Sequence, residues 1–281
     1  MRALQDQVIL ITGSTDGLGR LVATHLAQQG ATVLLHGRDP AKGAEVLREI
    51  VQATQNPRVR YYNADLASLQ EVRDLALRIR LNQPRLDVLV NNAGIGPVAA
   101  GLPRRLSADG YELLFAVNYL AGFLLARELL PLLQHSAPAR IINVASIGQQ
   151  TLDLDDLQLD HNYDDARAYR QSKLAQILDT FTLAEALAGS GVTVNCLHPA
   201  TLMATKMVSE GSGYFPGAKT TTEQGAAALE RLICAPELQR STGLYYDGVR
   251  EAQANEQAYD ATARQRLLEI SNRLCNHTGA R

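Results

Sequence analysis

Tyr169 and Lys173 stand four residues apart in the run Tyr169-Arg170-Gln171-Ser172-Lys173. On a helix this spacing brings both side chains to one face. A free tyrosine titrates near 10 and is a reluctant acid or base at neutrality. An ammonium beside it favours the phenolate and lowers that value, which turns the pair into a proton-transfer device. The same spacing also occurs on ordinary helix surfaces, so its weight depends on its setting. Leu174, Ile177, Leu178 and Phe181 supply an apolar stripe, and Asp164 and Asp165 precede it as candidate N-caps, so a helix is expected.

A second group lies near the N-terminus in Thr12-Gly13-Ser14-Thr15-Asp16-Gly17-Leu18-Gly19. Glycines let a chain turn sharply and approach a pyrophosphate closely. A helix that follows such a turn offers free N–H groups and the positive end of its dipole to the anion. Here the turn falls between an apolar run at 8–12 and a helical run at 20–29, the setting that phosphate binding needs. A third group, Asp153, Asp155, Asp156, Asp160, Asp164 and Asp165, has no histidine-and-carboxylate pattern at ligand spacing, so no metal is expected.

The elements that must carry these groups are legible as short apolar runs at 8–12, 31–35, 59–62, 86–90, 140–144, 192–197 and 244–246. Their β-branched, nearly continuous character suits strands buried on both faces. Helix starts fall between them. Asp39-Pro40 reads as an N-cap and first helical proline, while Ser68 with Glu71 and Thr221 with Gln224 have capping-box spacing. Strand and helix alternate, which predicts an α/β fold: a doubly wound, Rossmann-like parallel sheet of about seven strands with helices on both faces.

No repeat or linker divides the chain, so residues 1–281 read as one dinucleotide-binding and catalytic domain. Loop insertions near 149–166 and 201–220 follow strands, where they can wall or cover a site. The aspartates of the first insertion read as a solvated stretch. A helical tail near 251–281 is left open between covering the pocket and forming a homo-oligomer interface. The net charge of −2 argues against nucleic acid or anionic membrane as partners. Three separated cysteines, with no signal-like or anchor-like segment before the first strand, point to a reducing, cytoplasmic setting.

The glycine spacing G-x-x-x-G-x-G, followed by Asn91-Asn92-Ala93-Gly94, Asn118, Ser146, Tyr169-x-x-x-Lys173 and Pro199, resembles the short-chain dehydrogenase/reductase family over roughly residues 7–250. The long gap between Ser146 and Tyr169, the Arg38 region and the tail are nearest to its retinol-dehydrogenase-like branch. The resemblance implies that Asn118, Ser146, Tyr169 and Lys173 form the catalytic set. Ser146 would hold the substrate oxygen and Asn118 would organise a relay water with Lys173. It also implies cofactor contacts from Gly13, Ser14, Asp16, Gly17, Leu18, Gly19, Asp65, Leu66, Asn91, Ala93 and Gly94. Pro199 and Thr201 would complete them, although Ala200 stands where the family has glycine.

Cofactor choice turns on His36-Gly37-Arg38 after the second strand. NAD-specific members of such folds place a carboxylate at the position of Gly37. Its absence, with a guanidinium next to it, favours a 2′-phosphate and hence NADP(H) over NAD(H). Asp16 counts against this. The expected activity is interconversion of a small-molecule alcohol and carbonyl, with retinol disfavoured for lack of a membrane anchor. A 3-oxoacyl thioester reductase and a non-catalytic dinucleotide-binding sensor are the alternatives.

Overall fold

The computed structural model describes residues 2–97, 103–210 and 217–276. Its strands are β1 (Val8–Ile11), β2 (Thr32–Gly37), β3 (Val59–Asn63), β4 (Val88–Asn91), β5 (Ala139–Val144), β6 (Val192–His198), β7 (Tyr245–Asp247) and β8 (Arg250–Ala252). They form one sheet in the order β3-β2-β1-β4-β5-β6-β7-β8. Every pairing from β3 to β7 is parallel, and β8 folds back antiparallel on β7. The sequence had suggested about seven strands and a helical tail from 251. The tail instead begins with this eighth strand, whose three residues are too few and too polar to carry a periodic signal.

The helices are α1 (Gly17–Gln28), α2 (Pro40–Thr54), α3 (Leu69–Asn82), α4 (Leu113–Phe115), α5 (Ala121–His135), α6 (Asp165–Ala186), α7 (Lys206–Glu210), α8 (Thr222–Cys234) and α9 (Ala261–Asn276). Strand alternation sorts the core into two layers. Val8 and Leu10 of β1 join the layer under α3, α5, α6 and α9. Ile9 and Ile11 join the layer under α1, α2 and α8. The stretch Leu113–His135 is long and apolar enough to cross a membrane, but 67% of its most apolar window is buried inside the fold. That is the burial of a core helix.

The expected caps form. Asp39 accepts from the N–H groups of Ala41 and Lys42 at the start of α2, with Pro40 in the first turn. Thr221 and Gln224 make a complete capping box on α8. Ser68 caps α3, but Glu71 turns away to accept from the N–H of Asp65, so that box is only half made.

The first insertion is not a solvated appendage. Leu152, Leu157 and Leu159 are buried. Its aspartates form ion pairs: Asp153 with Arg167, Asp155 with Arg266, and Asp160 with Arg104. Asp156 accepts from the N–H groups of Asp160 and His161. The tail braces this insertion and covers the helices. Gln257 bonds both the N–H and the carbonyl of Leu152. Tyr119 pairs with Ser271 at 2.7 Å, and Tyr111 donates to the carbonyl of Leu274 at 2.9 Å. Of the second insertion, 211–216 lies outside the described residues.

Candidate active site

β1 lies between β2 and β4, and the chain reverses its direction of winding there. The crevice beyond the carboxyl ends of β1 and β4 is where such sheets bind ligands. The glycine turn follows β1 and Asn92-Ala93-Gly94 follows β4, so the two motifs face each other across it.

Close packing explains the glycines. Gly13 has φ +65°, and a Cβ on it would lie 2.8 Å from the Cα of Ala93. A Cβ on Gly19 would lie 2.5 Å from Nδ2 of Asn92 and 2.6 Å from the carbonyl oxygen of Gly13. The turn is pinned from two sides. Asn92 donates to the carbonyls of Thr12 (2.8 Å) and Gly13 (3.2 Å). The N–H of Gly13 donates to Nδ1 of His36 at 3.2 Å, and Nε2 of His36 lies 3.2 Å from the carbonyl of Ala64. A backbone N–H can only donate, so Nδ1 is the bare nitrogen and Nε2 carries the proton. Burial pulls His36 down to about 4, which keeps it neutral.

Ser14, expected at the cofactor, is fully buried. Its N–H donates to the carbonyl of His36, and its hydroxyl donates to the carbonyl of Ile11 while accepting from the N–H of His36. Its polar groups are therefore engaged inside the turn. Asp16 caps α1 by accepting from the N–H of Gly17 at 2.8 Å, and pairs with Lys42 at 2.5 Å. That ion pair, with Gly17 and Lys206 helping, holds the Asp16 carboxyl below its usual range and offsets the charge that counted against a 2′-phosphate.

Arg38 is exposed just beyond β2. Gly37 before it is sterically required: a Cβ there would lie 2.7 Å from Cγ2 and 2.9 Å from Oγ1 of Thr15. Asp65 accepts from the N–H of Ala67, and Leu66 is buried in the core beside Thr12 and Asn91. The side chains of Leu66 and Asn91 thus face inward and not into the crevice. Asn91 donates to Asn143 at 2.8 Å, which makes it a sheet tie, and Asn92 is the crevice residue that sequence reasoning passed over.

The catalytic candidates converge on the other wall. Ser146 follows β5, where its hydroxyl accepts from the N–H of Gly148 at 3.0 Å. Asp164 caps α6, so Tyr169 and Lys173 sit in its first turns on the face toward Ser146. Burial raises the Tyr169 phenol above 10, and its hydrogen bond with Ser146 opposes that rise. The net shift is therefore upward, against the lowering the spacing predicts, and Lys173 makes no hydrogen bond to the phenol. Its Nζ is 5.9 Å from the Tyr169 ring centroid and donates to the carbonyl of Val144 (2.9 Å) and Oε1 of Gln176 (3.1 Å). Burial brings Lys173 down to about 8.

Asn118 lies in a π-helical turn (Ala116–Leu120) between α4 and α5, a register that recurs at functional sites. Its amide accepts from the N–H of Ile95 (2.8 Å) and donates to the carbonyl of Ile95 (3.1 Å) and to Ser172 (3.0 Å). A Cβ on Gly94 would lie 3.2 Å from Oδ1 of Asn118 and 3.5 Å from Nζ of Lys173, so the three meet. Thr201, after Pro199, pairs its hydroxyl with Nε2 of His198 at 3.0 Å.

α7 crosses the crevice, a placement with no signal in the sequence. Thr205 sits 3.3 Å from where a Gly17 Cβ would stand, and Met207 sits 2.8 Å from the corresponding position on Gly96. Thr205, just before the small helix, thus touches the phosphate turn, and Met207 within it touches the segment after β4.

A doubly wound sheet, a glycine turn at its switch point and a buried serine and lysine flanking a half-buried tyrosine define a dinucleotide-dependent oxidoreductase. The chain belongs to the short chain dehydrogenase family, which it matches over residues 7–212, within the retinol-dehydrogenase-like branch. Mouse retinol dehydrogenase 13 is 38% identical over 95% of this chain and 83% of its own length. Human polyprenol dehydrogenase is 33% identical over 98% of this chain and 86% of its own. A short chain dehydrogenase of Escherichia coli, solved in complex with NADPH, superposes with a TM-score of 0.70 at 28% identity, covering 88% of this chain and 98% of that one.

Proposed function

We propose that the protein is an NADP(H)-dependent oxidoreductase that interconverts a carbonyl and an alcohol, with Tyr169 as proton donor and acceptor. The observation that carries this reading is the meeting of Ser146, Tyr169 and Lys173 with Gly94 and Asn118 beside the glycine turn. A bound nicotinamide dinucleotide supplies or accepts the hydride.

The residues fit such a cofactor. The packed glycines Gly13, Gly17 and Gly19 and the first turn of α1 would hold its pyrophosphate. Arg38 and Lys42 would hold a 2′-phosphate, while the Thr15 side chain against Gly37 leaves no room for the carboxylate that prefers NAD(H). Pro199 and Thr201 would hold the carboxamide end. The E. coli neighbour that carries NADPH supports the same preference.

Ser146 orients the substrate oxygen by a hydrogen bond. Tyr169, kept protonated by burial, gives its proton to that oxygen in reduction and takes one from the alcohol in oxidation. Lys173, protonated below about 8, stabilises the phenolate left behind. Two apolar side chains flank the catalytic pair: Ile147 stands 55% exposed beside Ser146, and Ile95 packs near Tyr169. Mouse retinol dehydrogenase 13 and human polyprenol dehydrogenase are named for apolar isoprenoid alcohols, and that class, with its aldehydes, is the substrate class proposed, against the sequence expectation that disfavoured retinol.

The test is binding of NADPH and NADH by nicotinamide fluorescence, to the wild type and to Arg38→Asp. A charge-assisted bond to the 2′-phosphate is worth about tenfold or more. The wild type should prefer NADPH by at least about that factor, and Arg38→Asp should erase the preference. Equal binding of both cofactors by the wild type contradicts the assignment.

A further inference from the structure

The Lys173 ammonium is buried and has two protein acceptors, the Val144 carbonyl and Oε1 of Gln176. Gln176 follows Lys173 by three residues on α6 and is 5% exposed. The reaction scheme gives it no part, yet a hydrogen-bonded chain from β4 reaches its backbone carbonyl. Asn91 on β4 donates to Asn143 on β5 at 2.8 Å, and Asn143 donates to Thr180 at 2.8 Å. Thr180 donates to the Gln176 carbonyl at 2.7 Å. At its β4 end one acceptor is left over. Oδ1 of Asn91 is buried and has no partner.

Asn91 also lines a cavity of about 10 Å³, room for about one water, with Thr12, Asn118 and Gln176 among apolar neighbours. A water there can donate to Oδ1 of Asn91 and accept from Nε2 of Gln176. It would also fix which way the Gln176 amide faces. An ammonium has only donors, so Gln176 must present oxygen to Lys173 and nitrogen to the cavity.

We propose that Gln176 is a positioning residue for Lys173, oriented by a water held between its amide and Asn91 in this cavity. The inference deepens the oxidoreductase reading, because Lys173 acts there through its charge. A neutral acceptor 3.1 Å from the ammonium favours the charged form against burial without supplying a competing carboxylate. The titratable groups facing Lys173 are Tyr169 on its own helix and His198 at the end of β6, whose burial lowers its pKa.

The experiment is a titration of Lys173 in the cofactor-free protein by NMR of carbon-labelled lysine, in the wild type, Gln176→Met and Gln176→Glu. Losing a hydrogen bond to a charged group should move the Lys173 midpoint of Gln176→Met down by about one pH unit. Gln176→Glu should move it up from about 8, and keeps the proposal testable if the methionine variant fails to fold. The pH profile of carbonyl reduction should follow the same order. The same midpoint in all three proteins overturns the proposal. The NMR titration needs no turnover, so a failure of the oxidoreductase reading would show separately, as absence of reduction with the titration intact.

Discussion

His36 ties the cofactor turn to the end of β3 through a nitrogen that must stay unprotonated, so acid should loosen this part of the fold. The imidazole is 2% exposed, and burial lowers it from 6.5 to about 4. Between those values the unfolded chain holds a proton that the folded chain refuses. Stability from this group is therefore complete above about pH 6.5 and is lost as pH falls toward 4. A gap of that size corresponds to about 3 kcal/mol in total and about 2 kcal/mol by pH 5. His36→Asn can keep an acceptor near the N–H of Gly13 but cannot titrate, and comparison with it subtracts the carboxylates that titrate in the same range. Urea unfolding at steps from pH 7.5 to 4.5 should show the wild type losing about 2 kcal/mol more than the variant by pH 5. Parallel curves for the two proteins would refute a buried neutral His36.

Gly37→Ala should lower stability because its Cβ meets Thr15, and Gly37→Ala with Thr15→Ala should recover most of the loss; a double-mutant cycle by urea unfolding reads the coupling. Independent effects of the two changes would show that Thr15 does not confine Gly37. In the oxidative direction Tyr169 must act as base, and burial holds it protonated, so kcat for alcohol oxidation should rise through alkaline pH while reduction does not. A flat oxidation profile from pH 7 to 10 would remove Tyr169 as the titrating base. Asp39→Ala removes the α2 cap and should cost about 1 kcal/mol of stability by urea unfolding, with no loss indicating that Pro40 alone secures the helix start.

The sheet was legible because parallel strands buried on both faces write themselves as apolar runs, and each of the seven expected runs lies within two residues of an observed strand. β8 was not, since an edge strand such as Arg250–Ala252 needs only backbone pairing with β7. The type and spacing of Ser146, Tyr169 and Lys173 anticipated that they would meet. Sequence could not give the direction of a side chain at a strand end. Asn91 and Asn92 are adjacent and identical, yet the pleat sends the first into the sheet and the second to the glycine turn. Nor could it show that Ser14 would close on His36, or that Leu152, Leu157 and Leu159 would bury an aspartate-rich loop. Those outcomes depend on partners far along the chain.

Whether Tyr169 moves the proton in an NADPH-dependent reduction is read from turnover and cofactor binding together. NADPH oxidation is followed with apolar isoprenoid aldehydes for the wild type and Tyr169→Phe, alongside NADPH binding by each. If Tyr169 has that role, the wild type turns over, while the variant binds NADPH nearly as well yet reduces nothing detectably. Near-normal reduction by Tyr169→Phe would contradict it.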